Sequence, residues 1–557
     1  MPPFLFVPIA LIARPWEDDA WPSWRPKFIN SETGQHSTTE TAELTVTERA
    51  LLASNDNPWF DPHRDFPCRS TPLIRTLLKG VGLALALLAT VVLLRTLLHG
   101  PIERASIDVV TIELDERAIA SRLAESIRFK TISHQNDDML DESAFEGFID
   151  WVTATYPRVN SELSLQRFGL TLLYKWEGTD SDLQPVLVTG HYDVVPVIPG
   201  TESAWEVPPF AGIIQDGIVW GRGALDDKSG VVGILEAVTY LIEQGFKPKR
   251  TIYLSFGHDE EVGGRQGAGK VAAYLKDAGI QLAWSLDEGS FLFDGMFPGV
   301  EPLLAPINVA EKGSVTLDIV ALAPGGHSSM PPNTTAVGKL AKAISLLEEH
   351  PVPGGLSGLS AAMFDDISRH MPFGQRLLFA NTWLFEPVIV SALSSVTFAN
   401  AMVRTTTAPT MLSGSIKSNV LPIEAVATVN FRIHPRDSVD SVIQHVSDLL
   451  ASEDIEVRPR GGVNASSVSS WESEGFQVIE KSLLETRGDV VAMPGLMIAG
   501  SDTKHYGKVA DNAFRFNPFV VTQSDLTGFH GTNEKIGVSN LADGVRAYIQ
   551  ILTHGAR

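Results

Sequence analysis

The rhythm of apolar and polar positions changes several times along the chain. Residues 14–72 are rich in Pro, Trp, Asp, Ser and Thr and hold no period, the pattern of a disordered arm, here expected over 1–76. From Gly80 to Leu94 no residue is charged, and Lys79 and Arg95 bracket the run. With its apolar flanks it predicts one membrane-directed helix over 77–98. Fifteen uncharged residues fall short of the roughly 20 that span a bilayer, but flanking Lys and Arg can snorkel and lengthen the span. Arg64, Arg69, Arg75 and Lys79 precede it, so the positive-inside bias puts the arm in the cytoplasm. The expectation is a single-pass membrane protein with its body on the non-cytoplasmic side, or an exported one if the segment is cleaved.

Beyond Ile107, short β-rich runs alternate with amphipathic helices, which predicts an α/β fold with a helix-covered mixed or parallel sheet. Val186–Thr189, Thr251–Phe256 and Ala283–Leu286 have strand length, and each ends in a polar cluster. Val231, Ile234, Leu235, Val238, Leu241 and Ile242 recur at helical spacing and stop at Gly245. Near Ala310 the period becomes two. Val315, Leu317 and Ile319, and later Ala425, Ala427, Val429, Phe431 and Ile433, read as half-exposed antiparallel strands, followed by a helix through Val439, Val442, Ile443, Val446 and Leu449. The expected order is a catalytic domain in two parts, 105–309 and 461–557, interrupted by an α+β domain over 310–460.

Composition narrows the chemistry. Sixty-six acids against 44 bases leave a net charge of −22, which argues against nucleic acid or an anionic surface as partner of the body. Cys68 is the sole cysteine, so a bound metal would need His, Asp and Glu ligands.

Four polar clusters follow strand-like runs: Gly190-His191-Tyr192-Asp193, Gly221 to Lys228 (GRGALDDK), His258-Asp259-Glu260-Glu261 and Leu286-Asp287-Glu288-Gly289. A fifth, Phe529 to Glu534 (FHGTNE), lies near the C-terminus. Ligands gather at the carboxyl ends of strands in open α/β sheets, so the clusters could converge. His191, Asp226, Glu261 and Asp287 are 35, 35 and 26 residues apart, each about one β-α unit. Two imidazoles with several carboxylates and no thiolate suit Zn, Mn or Co, and two cations would relieve the repulsion among the acids.

GHYDVVP, GRGALDDKSG, GHDEEVGG, LDEG and FHGTNE together resemble the di-zinc peptidase family of aminoacylase, carnosinase and carboxypeptidase S, closest to the carboxypeptidase S and N-fatty-acyl-amino-acid hydrolase branch. The resemblance implies two Zn2+, with Co2+ or Mn2+ as substitutes. His191 and Glu261 would lie on opposite metals, Asp226 would bridge them, Asp287 (or its neighbour Glu288) would complete one site and His530 the other. Asp193 would orient His191, and Glu260 would be the general base toward a metal-bridged water. His327, Asn419 and Arg432 match substrate-contacting positions of the inserted lid, which also implies a homodimer. Lys504 stands where relatives often carry Arg, which removes a bidentate clamp and keeps the charge. The implied activity is hydrolysis of an amide next to a C-terminal amino acid in a short peptide; the alternative is an N-acyl amino acid. A non-catalytic metabolite binder of this fold is disfavoured, because Glu260 and every ligand position are kept.

Overall fold

The computed structural model describes residues 72–102, 107–451 and 453–557. Of the arm expected over 1–76, residues 1–71 lie outside them, whereas 72–76 are helical. The uncharged run becomes one helix, Pro72–Leu98, long and apolar enough to cross a membrane. Leu83, Leu85 and Leu87 on it are exposed. The chain parts into two units within this helix, 1–91 and 92–557.

The larger unit is built on an eight-stranded mixed sheet. Its strand order is Ser164–Phe168, Thr171–Trp176, Ile252–Gly257, Val186–His191, Leu282–Phe293, Ala510–Val521, Leu303–Glu311 and Val490–Met497. The central pairs are parallel, with Val186–His191 between Ile252–Gly257 and Leu282–Phe293. These strands are buried nearly throughout and open on apolar runs because both faces are covered. Val186 and Val188 face one core with Ile252, Leu254 and Phe256. Leu187 and Tyr253, pointing the other way, join Val271 and Leu275 of the helix Ala268–Asp277. The helices Lys228–Glu243 and Val538–Gly555 pack together over the first face. The former ends where the periodicity stops: Gly245 takes a left-handed backbone (φ 69°) while the Phe246 amide donates back to the Leu241 carbonyl at 2.9 Å.

The two-residue period produces a separate four-stranded sheet in the order Thr406–Ser413, Glu424–Ile433, Gly313–Leu322, Ile455–Val463. Antiparallel register sets Val315 opposite Phe431, Leu317 opposite Val429 and Ile319 opposite Ala427. All six are buried on one face beneath the helices Ala336–Glu349 and Val439–Leu450, in a second core. Ser438 begins the latter helix with a capping box: its hydroxyl accepts from the Ser441 amide, and the Ser441 hydroxyl accepts from the Ser438 amide. Between these elements the chain runs back to the first core, where Leu359, Met363, Phe364, Ile367, Met402 and Val403 are buried. The stretch 310–460 therefore contributes to two cores.

Phe431 is fully buried in the second core. Phe431→Ala is expected to cost about 3–5 kcal/mol and to lower the melting transition measured by calorimetry.

Candidate functional site

The sheet register sets the geometry. His191 ends its strand opposite Gly257, which ends the parallel neighbour, so His258 to Glu261 leave the sheet beside the imidazole. Asp226 comes from the segment between the strand Ile218–Trp220 and the helix that starts at Lys228. His530 lies between Ala510–Val521 and Lys535–Gly537, with a left-handed backbone (φ 53°) that few residues other than glycine adopt.

These residues meet. His191 Nε2 is 3.1 Å from Asp226 Oδ1, while His530 Nε2 is 3.2 Å from Asp226 Oδ2 and 3.1 Å from Glu261 Oε2. Asp226 thus turns one oxygen to each imidazole, the disposition of a bridging ligand. Ligand atoms of His191, Asp226 and Glu261 all lie within 4.8 Å of one another.

Asp193 is fully buried beneath the group. Its backbone carbonyl lies 3.0 Å and its carboxylate 3.3 Å from His191 Nδ1, fixing that nitrogen as the protonated one and leaving Nε2 to face Asp226. The two carboxylate oxygens also accept from the Glu260 and Glu261 amides, both at 3.2 Å. One side chain therefore positions a candidate ligand from one strand and the acidic pair from the next. His258, in contrast, is a satisfied core histidine, 2.6 Å from the Thr171 hydroxyl.

Asp287 and Glu288 arrive on one strand. Asp287 Oδ2 accepts from the Thr503 hydroxyl at 2.8 Å and Oδ1 from the Glu288 amide at 2.9 Å. The Glu288 carboxyl is raised well above its ordinary value by burial and by Asp226, which places it on the acidic cluster too.

His327, Asn419 and Arg432, expected from the resemblance to contact substrate, stand apart from this cluster. His327 and Asn419 are exposed neighbours on a two-stranded ribbon, Gly326–His327 against Val420–Leu421, where the Ser328 amide donates to the Asn419 carbonyl at 3.1 Å. Arg432 is exposed on Glu424–Ile433, and its charge is felt by Lys312. Among the described residues, no hydrogen bond or ion pair joins any of the three to the acidic cluster. Lys504 does reach it, with Nζ 3.9 Å from Glu260 Oε1.

Several supporting residues carry no signal a periodicity could reveal. Glu534 is fully buried and accepts from Arg222 Nη1 at 2.6 Å and from the amides of Gly223, Leu225 and Asp226. It clamps the Asp226 segment to the His530 segment, and both partners were visible only as members of GRGALDDKSG and FHGTNE. Asp227 accepts from the His191 amide at 3.4 Å and from Asn517 at 2.9 Å. A β-carbon on Gly190 would lie 2.5 Å from the Asp227 carboxylate, so glycine is required there.

The electrostatics call for cations. Burial pushes the Glu260 carboxyl up to about 8, and burial followed by Asp226 raises Glu261. Bonds to Asp226 and Glu261 raise the His530 imidazole to about 10, holding it charged. Glu261 Oε1 and both oxygens of the buried Asp502 have no hydrogen-bond partner. An unpartnered Glu261 oxygen on a carboxylate that faces His530, with Asp226 between two imidazoles, is a donor set that fits divalent metal.

The sequence matches Peptidase family M20/M25/M40 over residues 187–554. The chain belongs to this family. It is 39% identical over 445 residues to probable carboxypeptidase S-like 2 of Dictyostelium discoideum, covering 79% of this chain and 85% of that one. It is 35% identical over 487 residues to the N-fatty-acyl-amino acid synthase/hydrolase PM20D1 of Xenopus tropicalis, covering 86% and 94%. In fold it resembles the M20 family metallo-carboxypeptidase Sso-CP2 from Sulfolobus solfataricus, with a TM-score of 0.55 at 18% identity over 80% of this chain and 100% of that chain. The chain is thus a metallopeptidase-family hydrolase with the mixed α/β fold of that family.

Two outcomes follow from the supports. Asp193→Asn is expected to weaken metal retention about 10–100-fold in chelator competition, as loss of a partner behind a metal ligand does. His530 is protonated at neutral pH without metal, because its value is raised to about 10. A cation must displace that proton, so calorimetric titration in buffers of different ionisation enthalpy should show net proton release and an affinity that rises as pH is raised through 7 to 10.

Proposed function

We propose that the protein is a carboxypeptidase S-type hydrolase that cleaves the amide next to a C-terminal amino acid. The observation that carries this reading is the placement of Asp226 between His191 and His530, with Glu261 on the His530 side and Glu260 beside it. His191, Asp226, Glu261 and His530 would hold two zinc ions, with Asp287 as the fifth ligand on the family pattern and Glu288 as the competing neighbour. Bound there, the metals supply Lewis-acid polarisation of a carbonyl and acidification of a water.

The rest is work for this chain's side chains. Glu260, held through its amide by Asp193, accepts the proton of the attacking water and delivers it to the leaving amine. Lys504, beside Glu260, supplies positive charge for the free carboxylate of the amino acid. His327 would donate a hydrogen bond to the developing oxyanion, and Asn419 and Arg432 would contact substrate. Since these three lack contact with the acidic cluster, they would act on a neighbouring subunit's site in a dimer formed through the 310–460 region. The helix Pro72–Leu98 would anchor the protein in a membrane, with the catalytic body on the non-cytoplasmic side.

A second reading is favoured by one finding. The relative PM20D1 aligns over 94% of its length, and its name records N-fatty-acyl-amino acids as substrates. Both substrate classes present an amide beside an amino-acid carboxylate and use the same proton path.

The test is a panel of blocked dipeptides and N-oleoyl amino acids assayed with wild type and Glu260→Gln. The variant should keep its metal and lose several orders of magnitude in kcat, on the scale that loss of a central catalytic group can reach. An active Glu260→Gln protein would refute the assignment, and the panel ranks the two substrate classes. Metal content should fall to one ion per chain in Asp287→Ala and stay at two in Glu288→Gln; the reverse would reassign the ligand.

A further inference from the structure

The end of the apolar helix is gripped by a second apolar element. Helices Phe373–Phe379 and Thr382–Ser394 meet at a bend of 113° and together are long and apolar enough to cross a membrane. Across residues 373–394 the only charged side chains are Arg376 and Glu386. Glu386 is spent on the protein, accepting from the Leu356 amide at 3.0 Å. Phe373, Trp383, Leu384 and Val388 are exposed, at 46%, 55%, 39% and 41%.

The joint of this pair is tied to the last turns of Pro72–Leu98. Asn381, fully buried, donates to the Val92 carbonyl at 3.2 Å and lies 3.3 Å from the Thr96 hydroxyl. Arg95 Nε donates to the Ala380 carbonyl at 3.0 Å, and His99 Nε2 lies 2.8 Å from the Ser368 hydroxyl. Arg95 is the first charge after the uncharged run. In an anchored chain such a residue marks the headgroup level, where the apolar core of the bilayer ends. The bond to Ala380 therefore fixes the bent pair at that level.

We propose that the bent pair 373–394 is an interfacial membrane element, its exposed Phe373, Trp383, Leu384 and Val388 seated among lipid headgroups and upper acyl chains beside the anchor. The inference rests on the anchor reading given above. Continuity with the anchor decides the occupant: exposed apolar side chains held at the headgroup level meet lipid first. Trp and Phe suit that depth, where an amphipathic ring satisfies both phases.

The experiment uses the full chain with Cys68→Ser, reconstituted in phosphatidylcholine vesicles. An environment-sensitive fluorophore is attached through Trp383→Cys, Val388→Cys, Leu87→Cys or Ile416→Cys, in four separate proteins. Nitroxide lipids labelled near the headgroup should remove most of the emission from positions 383 and 388, and leave that from Ile416→Cys, a fully exposed site on the second sheet's side, intact. Deep nitroxides at position 87 report on the anchor alone. Quenching at 87 without quenching at 383 and 388 overturns the interfacial element and leaves the anchor standing. No quenching at 87 refutes the anchor and with it this inference. A blue-shifted signal at 383 that ignores nitroxide lipids and disappears on dilution would assign the face to a second copy of the chain and overturn the proposal.

Discussion

Too much negative charge in too little water is the constraint around which this molecule is arranged. Asp226, Glu260, Glu261, Asp287, Glu288 and Asp502 converge at the carboxyl end of the main sheet, and burial raises five of the six toward their neutral forms. Asp226 alone is held below its ordinary value, by the two imidazoles flanking it. Such a concentration is costly unless cations share the space, and the cost falls on the fold as a whole. Its tolerance here depends on neutral scaffolding: main-chain amides, a threonine hydroxyl and an asparagine amide occupy lone pairs on Asp193, Asp227, Asp287 and Glu534.

That scaffolding explains why the parallel strands come first in the architecture. A strand that ends at His191 opposite Gly257 delivers an imidazole and an acidic pair to the same edge without further adjustment. Asp193 then locks the two together. The second sheet is independent in its packing, with its own core, and carries exposed polar residues on a two-stranded ribbon. The candidate metal ligands thus rest on one core, and the exposed His327, Asn419 and Arg432 stand outside it.

Much of this was legible in the residues. The period of two gave the second sheet, with its buried face at Val315, Leu317 and Ile319, and the helical period ended at Gly245 as the backbone does. Spacing pointed to the convergence of His191, Asp226 and Glu261, and the family resemblance added His530; the four side chains meet in the structure. What escaped was of two kinds. Glu534, Arg222, Asn517 and Thr503 act through hydrogen bonds to residues hundreds of positions away, and no local pattern distinguishes such a residue from a surface one. The strand Leu282–Phe293 also outran its expected end at Leu286, because Asp287 and Ser290 pair with Ala510–Val521 rather than turning into a loop. Polar residues inside a strand read as a terminus unless the partner strand, here far along the chain, is known.

The clamp between Arg222 and Glu534 spans 312 positions, and His530 sits on the same late segment. During synthesis every other member of the acidic centre emerges before that segment does. A growing chain can thus fold most of its sheet while still lacking both the second imidazole and the anion that holds Asp226 in place. The acidic centre is therefore complete in its residues only once the segment carrying His530 and Glu534 has been synthesised, after all its other members.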